Sequence, residues 1–203
     1  MKAVRIHEYG NSDVLQYEET SMPSIASNEV LVKVIAASVN PVDWKIRQGY
    51  LQEMISYSMP LTLGWDVSGI VTAVGSGVTR FSVGDAVYSR PDIKRKGTYA
   101  EYVAIRETEV AFKPLTISHN EAASLPLAGI TAWEVLITTA QLSAGQKVLI
   151  HAGSGGVGTL AIQLAKSRGA YVIATTSGKN KALVKSLGAD EVIDYKTQNF
   201  AEI

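Results

Sequence analysis

The 203-residue sequence has no cysteine, no net charge and no long apolar run. Without cysteine it forms no disulfides and offers no thiolate to a metal. Its 19 basic and 19 acidic residues balance, so we expect no nucleic-acid or anionic-membrane surface. No apolar run reaches the length that crosses a bilayer, and residues 1–8 lack the apolar core of a signal peptide. We therefore expect a cytoplasmic protein that binds neither nucleic acid nor membranes.

Short β-like runs separated by glycine turns dominate the first 110 or so residues. The runs cover residues 3–7, 30–35, 67–74, 85–88 and 99–105. One short helix is expected at residues 41–48. Short strands punctuated by glycine are typical of a compact all-β domain, and we expect a partly open barrel.

The second half reads as alternating helices and strands. Ser118 and Glu121 have the spacing of a capping box, and Pro126 should limit the helix that follows. A second helical stretch covers residues 130–140, a short helix 181–187 and a strand 191–194. We place an all-β domain at 1–115 and an α/β dinucleotide-binding domain of the Rossmann type at 116–203. Only the first half of that second fold is present, because the complete fold has about six strands.

The strand at residues 147–150 runs directly into a G-x-G-x-x-G motif formed by Gly153, Gly155 and Gly158. A helix with apolar residues at helical spacing follows, and a second strand begins at Tyr171. Gly153 should permit the tight turn, Gly155 the approach of a pyrophosphate and Gly158 close packing of helix on strand. The helix N-terminus, which includes Gly156 and Val157, offers free N–H groups to phosphates. The alternative is a glycine-rich turn in an ordinary α/β domain.

No acidic residue follows the second strand, where an NAD site carries Asp or Glu. Residues 175–181 contain hydroxyls and lysines instead. Ser177 can donate a hydrogen bond to a 2′-phosphate, and Lys179 or Lys181 can supply positive charge. We therefore predict NADPH rather than NADH as the cofactor. The alternative is a solvated helix N-terminus with incidental lysines.

Several motifs in a fixed order resemble the zinc-independent quinone oxidoreductase branch of the medium-chain dehydrogenase/reductase superfamily, over essentially the whole chain. They occupy residues 36–44, 64–71, 84–87, 128–132, 151–158 and 187–195. The resemblance implies a GroES-like N-terminal domain, which agrees with the all-β prediction. It also implies that the chain is truncated, and that the full-length protein is a homodimer.

The resemblance also suggests where the zinc ligands of related enzymes would lie. Asn40 lies in the region of their cysteine, and Trp65 and Asp66 stand where their His-Glu pair follows a glycine. Catalytic zinc needs about three protein ligands, so no metal site is expected. The three histidines are scattered, and His151 should pack at the end of its strand.

The implied activity is metal-free hydride transfer from NADPH to a quinone or an α,β-unsaturated carbonyl. Asn40 would lie beside nicotinamide and substrate, and Thr131 along the nicotinamide end. Tyr195 and Lys181 resemble a tyrosine and lysine near the adenosine phosphate. Their spacing is one residue short of the family pattern, so Asn180 or Lys179 remain alternatives to Lys181.

Other interpretations remain open at particular residues and for the whole chain. Tyr50 is a candidate proton donor to a developing oxyanion, or else an ordinary surface tyrosine. Asn40 is alternatively a turn residue bonded to its own backbone. The chain as a whole is alternatively an enoyl-type reductase, or a non-catalytic or inactive truncated fragment.

Overall fold

The computed structural model describes residues 1–202. The chain forms two compact units, Met1–Leu127 and Ala128–Ile203, which divide within one helix. The predicted boundary after residue 115 lies twelve residues earlier. The intervening helix, α2 (His119–Ala123), belongs to the first unit, because its Ala122 and Ala123 are buried and His119 Nδ1 lies 2.7 Å from Ser68 Oγ.

The first unit contains two antiparallel sheets. Its strands are β1 (Lys2–Ile6), β2 (Gln16–Glu19), β3 (Glu29–Ala37), β4 (Leu61–Thr62), β5 (Val67–Val74), β6 (Ala86–Ser89), β7 (Tyr102–Arg106) and β8 (Val110–Phe112). The larger sheet has the order β7-β3-β5-β6-β8 and the smaller one β2-β1-β4. Alternation along β3 buries Val30 and Val32, which join Val67 and Val71 in one apolar core.

Two short helices and a second apolar core complete this unit. Helix α1 (Pro41–Arg47) has proline at its first position, where the missing N–H costs nothing. Helix α2 (His119–Ala123) begins at the predicted capping box, since Ser118 Oγ accepts from Glu121 N–H at 3.2 Å. The second core centres on Trp65, which is completely buried against Ile6 and Leu61.

The second unit is a three-stranded parallel sheet with helices. It contains α3 (Pro126–Trp133, which enters from the first unit), β9 (Lys147–Ile150), α4 (Gly156–Ser167), β10 (Tyr171–Thr176), α5 (Lys181–Ser186) and β11 (Glu191–Asp194). The strand order β11-β10-β9 places β10 in the centre. Helix α2 ends before Pro126, as predicted, and Pro126 begins α3. The predicted 130–140 helix comprises the end of α3 and a π-helical segment at Glu134–Thr139.

Candidate functional site

The turn between β9 and α4 is shaped by glycines that leave no room for a side chain. A Cβ on Gly158 would lie 2.3 Å from the Ala152 carbonyl oxygen and 2.8 Å from Gly153 Cα. A Cβ on Gly153 would lie 3.0 Å from Ala174 Cβ and 3.2 Å from Ile162 Cδ1. Both glycines therefore bring the start of α4 close against the strands, as predicted for Gly158.

The tight turn does not depend on the conformational freedom of Gly153. Ala152 carries the left-handed backbone, with φ of 51°, whereas Gly153 has no positive φ. The structure thus corrects the role assigned to Gly153 from the sequence, because this glycine is needed for space. Gly153 N–H is fixed by a 2.8 Å hydrogen bond to the Thr175 carbonyl of β10.

The other side of the same loop is open. A Cβ on Gly156 would meet nothing within 4 Å, and one on Gly155 would meet only the Ala152 carbonyl at 3.2 Å. The N–H groups of Gly156, Val157 and Gly158 lie in the first turn of α4 and have no carbonyl partner within that helix. An open surface without side chains, lined by free amides at the positive end of a 12-residue helix, fits a pyrophosphate.

A chain of side-chain hydrogen bonds joins the glycine loop to the end of β10. Asn180 Nδ2 donates to Ser154 Oγ at 3.0 Å, and Ser154 Oγ lies 2.8 Å from Thr176 Oγ1. Asn180 therefore holds the loop after β10 against the glycine loop. This contact fixes the Asn180 side chain. Among Lys181, Lys179 and Asn180, Asn180 is therefore the weakest candidate for a phosphate contact.

Four of the remaining cofactor candidates follow the carboxyl ends of β10 and β11, and the fifth lies on α3. Ser177 is 9% exposed, and its hydroxyl makes no hydrogen bond within residues 1–202. Lys179 and Lys181 are exposed and form no ion pair with the described part of the chain. Tyr195 follows β11, is exposed, and donates its N–H to the Thr176 carbonyl at 3.3 Å. Thr131 is an exposed residue of α3 in the same unit.

A carboxylate that the linear motif did not reveal also lies here. Asp194 ends β11 and pairs with Thr176, and its Oδ2 is 2.6 Å from where a Cβ on Gly178 would be. The sequence stretch 175–181 has no acid, but the neighbouring parallel strand brings one to the same edge of the sheet. The predicted strand at residues 191–194 could have revealed this carboxylate, because Asp194 lies at the carboxyl end of that strand.

In the first unit, Asn40 belongs to a buried polar network. Its Nδ2 donates to Asp66 Oδ2 at 2.8 Å and lies 3.1 Å from Ser38 Oγ. Ser38 Oγ donates to the same Asp66 oxygen at 2.7 Å, and Leu127 N–H donates to Asp66 Oδ1 at 2.8 Å. The Asn40 amide nitrogen is thus bound to other segments, and the same side chain also takes part in a capping box with Asp43 at the start of α1.

Asp66 is completely buried. Burial raises its pKa, and the hydrogen bonds from Ser38, Asn40 and Leu127 oppose that rise. Three donors converge on the two carboxylate oxygens, so this side chain acts as an acceptor on both.

A second buried carboxylate, which sequence reasoning missed, supports the backbone of Asn40. Asp43 Oδ2 accepts from Asn40 N–H at 2.6 Å and from the Tyr99 hydroxyl at 2.6 Å. Burial raises the pKa of Asp43, opposed by these two hydrogen bonds. Burial and the nearby Asp43 carboxylate raise the pKa of Tyr99. Asp43 Oδ1 is buried without a partner in the described chain. Asp43 and Tyr99 are 56 positions apart in the sequence, which explains why no local pattern revealed the pair.

The other two predicted positions of this unit differ sharply in exposure. Tyr50 is 66% exposed and packs its ring edge against Trp44, with centroids 5.8 Å apart. Trp65, at the position implied for a zinc-binding histidine, fills the apolar core. Within residues 1–202 no group of three or more histidine, aspartate or glutamate side chains is arranged to hold a metal ion.

Two family descriptions match the chain, one in each unit. "Alcohol dehydrogenase GroES-like domain" matches residues 26–115, and "Zinc-binding dehydrogenase" matches residues 156–203. The chain belongs to the medium-chain dehydrogenase/reductase superfamily. The predicted fold class, a GroES-like domain followed by a Rossmann-type domain, is confirmed, as is the resemblance to quinone oxidoreductases.

Three members of this superfamily illustrate the similarity. The chain is 40% identical to a chloroplastic quinone-oxidoreductase homolog of Spinacia oleracea, over 100% of this chain and 64% of the relative. It is 45% identical to the 2-methylene-furan-3-one reductase of Solanum lycopersicum, over 100% and 54%. The Escherichia coli quinone oxidoreductase complexed with NADPH is 32% identical, with a TM-score of 0.88 over 100% and 61%.

The chain spans 54–64% of the length of those three proteins. Among residues 1–202, no helix is both long and apolar enough to cross a membrane.

Proposed function

We propose that the chain is part of an NADPH-dependent reductase that transfers a hydride to quinones or α,β-unsaturated carbonyls without a metal. The observation that carries this proposal is the glycine loop at residues 153–158. Its inner face packs without side chains against β10 and α4, and its outer face leaves amides and open space for a pyrophosphate. The spinach, tomato and bacterial proteins support the choice of acceptors and cofactor, by what their names state.

In this proposal the chain's own residues bind and orient the reactants. Gly156, Val157 and Gly158 hold the pyrophosphate through backbone N–H groups, Gly155 lets it approach the loop closely, and Gly153 keeps the loop against the sheet. The chemistry that bound NADPH supplies is a hydride to an electron-poor acceptor, and a proton from an acid or from water completes the reduction. Thr131 is assigned to the nicotinamide end, from the family resemblance.

The metal-free part of the proposal rests on the side chains at the positions implied for zinc ligands. Asn40 binds Asp66 through its amide at 2.8 Å, and Trp65 is completely buried in an apolar core. Neither an amide nor an indole is a zinc ligand of the usual kind. Asn40 is assigned to hydrogen-bond the reactants, and Tyr50, which is exposed, to protonate the reduced acceptor.

The preference for NADPH is proposed from the residues after β10. The unpartnered hydroxyl of Ser177 and the exposed Lys179 and Lys181 suit a 2′-phosphate, and Tyr195 is assigned to flank it. The carboxylate of Asp194 lies nearby and would favour a free ribose hydroxyl instead.

Binding measurements with both cofactors test this preference. Replacing Ser177, Lys179 and Lys181 by alanine should weaken NADPH binding by at least about tenfold more than NADH binding. Asp194→Asn should shift the preference further toward NADPH. Equal losses for the two cofactors in the triple variant would contradict the assignment.

The assembly and location of the protein are part of the same proposal. We propose a homodimer for the full-length protein, which light scattering of that protein tests directly. We also propose a cytoplasmic location. The spinach relative is named chloroplastic, so cell fractionation of the full-length protein has to test this location.

A further inference from the structure

The polar atoms of the Asn40 side chain face two different environments. Its Nδ2 donates to the buried Asp66 carboxylate at 2.8 Å. Its Oδ1 has the capping-box position relative to Asp43 at the start of α1, where Asp43 N–H donates to the backbone carbonyl of Asn40 at 3.0 Å. Within residues 1–202 no side chain donates to Asn40 Oδ1, and the residue is only half-buried, so this oxygen can still accept from a ligand.

The direction of the Asn40 amide follows from what surrounds Asp66. Both Asp66 oxygens already accept hydrogen bonds, Oδ1 from Leu127 N–H and Oδ2 from Ser38 and Asn40. A flipped Asn40 amide would set its oxygen against a carboxylate oxygen in a fully buried place, which is strongly unfavourable. The NH₂ group is therefore held inward and the carbonyl oxygen outward.

We propose that Asp66 is a positioning residue that makes Asn40 a hydrogen-bond acceptor toward its ligand. This inference rests on the proposed function. The ligand group that Asn40 meets is then a donor, either an amide N–H or a hydroxyl, and Asn40 does not stabilise a developing oxyanion. Asp43 contributes by holding the Asn40 backbone N–H at 2.6 Å, which fixes where that acceptor lies.

Asp66→Asn reverses this polarity with little change in size. The new NH₂ group cannot face Leu127 N–H without two donors meeting, so it must face Ser38 and Asn40. The Ser38 hydroxyl can rotate to accept, but the Asn40 amide has to flip and present its NH₂ group outward. Thr98→Val is the matched control, because it removes a 2.8 Å hydrogen bond to the Asp66 backbone carbonyl and leaves the carboxylate untouched.

Hydrogen exchange of the Asn40 side-chain NH₂ measures this polarity without any ligand. The resonance is assigned by its loss in Asn40→Ala, and the exposed Asn120 serves as the fast reference. In the unmodified chain and in Thr98→Val, Asn40 should exchange at least about tenfold more slowly than Asn120. In Asp66→Asn the two rates should become similar. Fast exchange of Asn40 in the unmodified chain would overturn the proposal even if Asp66→Asn does not fold.

Calorimetric titration with NADPH then tests the consequence for binding. Asp66→Asn should raise the Kd roughly ten- to hundredfold, and Thr98→Val should change it less than about twofold. The acetylpyridine analogue of NADPH lacks the carboxamide N–H and keeps the ribose hydroxyls. If Asp66→Asn raises the Kd of the analogue as much as that of NADPH, the donor is a hydroxyl. If Asp66→Asn leaves the Kd of the analogue unchanged, the donor is the carboxamide.

The two proposals fail in different ways. Equal Kd values for Asp66→Asn and Thr98→Val, in a chain that binds NADPH, would overturn the role of Asp66 alone. Absence of NADPH binding in every variant would count against the proposed function, whereas the exchange rates would still decide the polarity of Asn40.

Discussion

Three glycines of the loop, two from the G-x-G-x-x-G motif and Gly156 between them, meet three different surroundings. Gly158 faces a backbone carbonyl at 2.3 Å, Gly153 faces apolar side chains, and Gly156 faces open space. Gly158 and Gly153 are therefore needed for packing, whereas Gly156 leaves room for a ligand. Alanine substitutions at these positions distinguish the two roles.

Gly158→Ala should destabilise the fold, and Gly156→Ala should impair binding alone. The Gly158 Cβ would force the helix away from the turn, at a cost of about 1–3 kcal/mol in the free energy of unfolding. Gly156→Ala should leave that free energy unchanged or slightly higher, because alanine suits a helix better than glycine. It should nevertheless raise the NADPH Kd. Denaturant unfolding and calorimetry check both, and equal unfolding midpoints for the two variants would refute this division.

Asp43 should make stability depend on pH. Because burial raises its pKa in the folded state above the ordinary 3.8, the native chain holds this proton more tightly than the unfolded chain. The free energy of unfolding should therefore lose a contribution as pH rises from about 4 through the raised pKa. Asp43→Asn removes that contribution and should flatten the profile. The exposed Asp13→Asn is the control, and a slope unchanged in Asp43→Asn would contradict the account.

Residue roles were predictable where the partner was close in sequence. The capping box of Ser118 and Glu121 and the packing role of Gly158 followed from local spacing. The contacts of Asp43 with Tyr99 and of Asn40 with Asp66 did not, because only the folded sheet brings these segments together.

At the scale of elements, strands with strong apolar patterns were predicted well. Residues 67–74 and 191–194 were placed at the bounds that the structure gives for β5 and β11. The strands β2, β4 and β8 were missed. The first is polar and largely exposed, the second has only two residues, and the third has three. Such strands are specified by their partners and carry little pattern of their own.

Variants of the loop after β10 should distinguish a residue that positions the loop from residues that bind the phosphate. Asn180→Ala loses the 3.0 Å contact to Ser154, which should cost about 0.5–1.5 kcal/mol of unfolding free energy. It should weaken NADPH and NADH binding to the same degree. Lys179→Ala and Lys181→Ala, at exposed positions, should spare stability and weaken NADPH selectively. Selective loss of NADPH in Asn180→Ala would instead make Asn180 a phosphate contact.

At the scale of the whole molecule, the order of two units was predictable. Their boundary stays a prediction, because the GroES-like description ends at residue 115 whereas the contacts divide the chain after Leu127. A change from β-like to helical pattern suggested a division after residue 115, and α2 then had no visible reason to belong to the first unit. That reason is the contact of His119 with the buried Ser68, 51 residues away.

A fragment of residues 1–127 should therefore be more stable than one of residues 1–115. The shorter fragment exposes the surface that Ala122 and Ala123 cover and leaves Asp66 without the Leu127 N–H. Thermal unfolding followed by circular dichroism compares them. Equal midpoints would favour the boundary after residue 115.

The central claim is metal-free hydride transfer from NADPH, and its most direct test is cofactor oxidation followed at 340 nm. The full-length protein is mixed with NADPH or NADH, with 1,4-benzoquinone or 2-hexenal as acceptor, before and after treatment with EDTA. The account predicts oxidation that requires an acceptor, is faster with NADPH and is unchanged by the chelator. No acceptor-dependent oxidation, a preference for NADH, or loss of the rate with EDTA would contradict it.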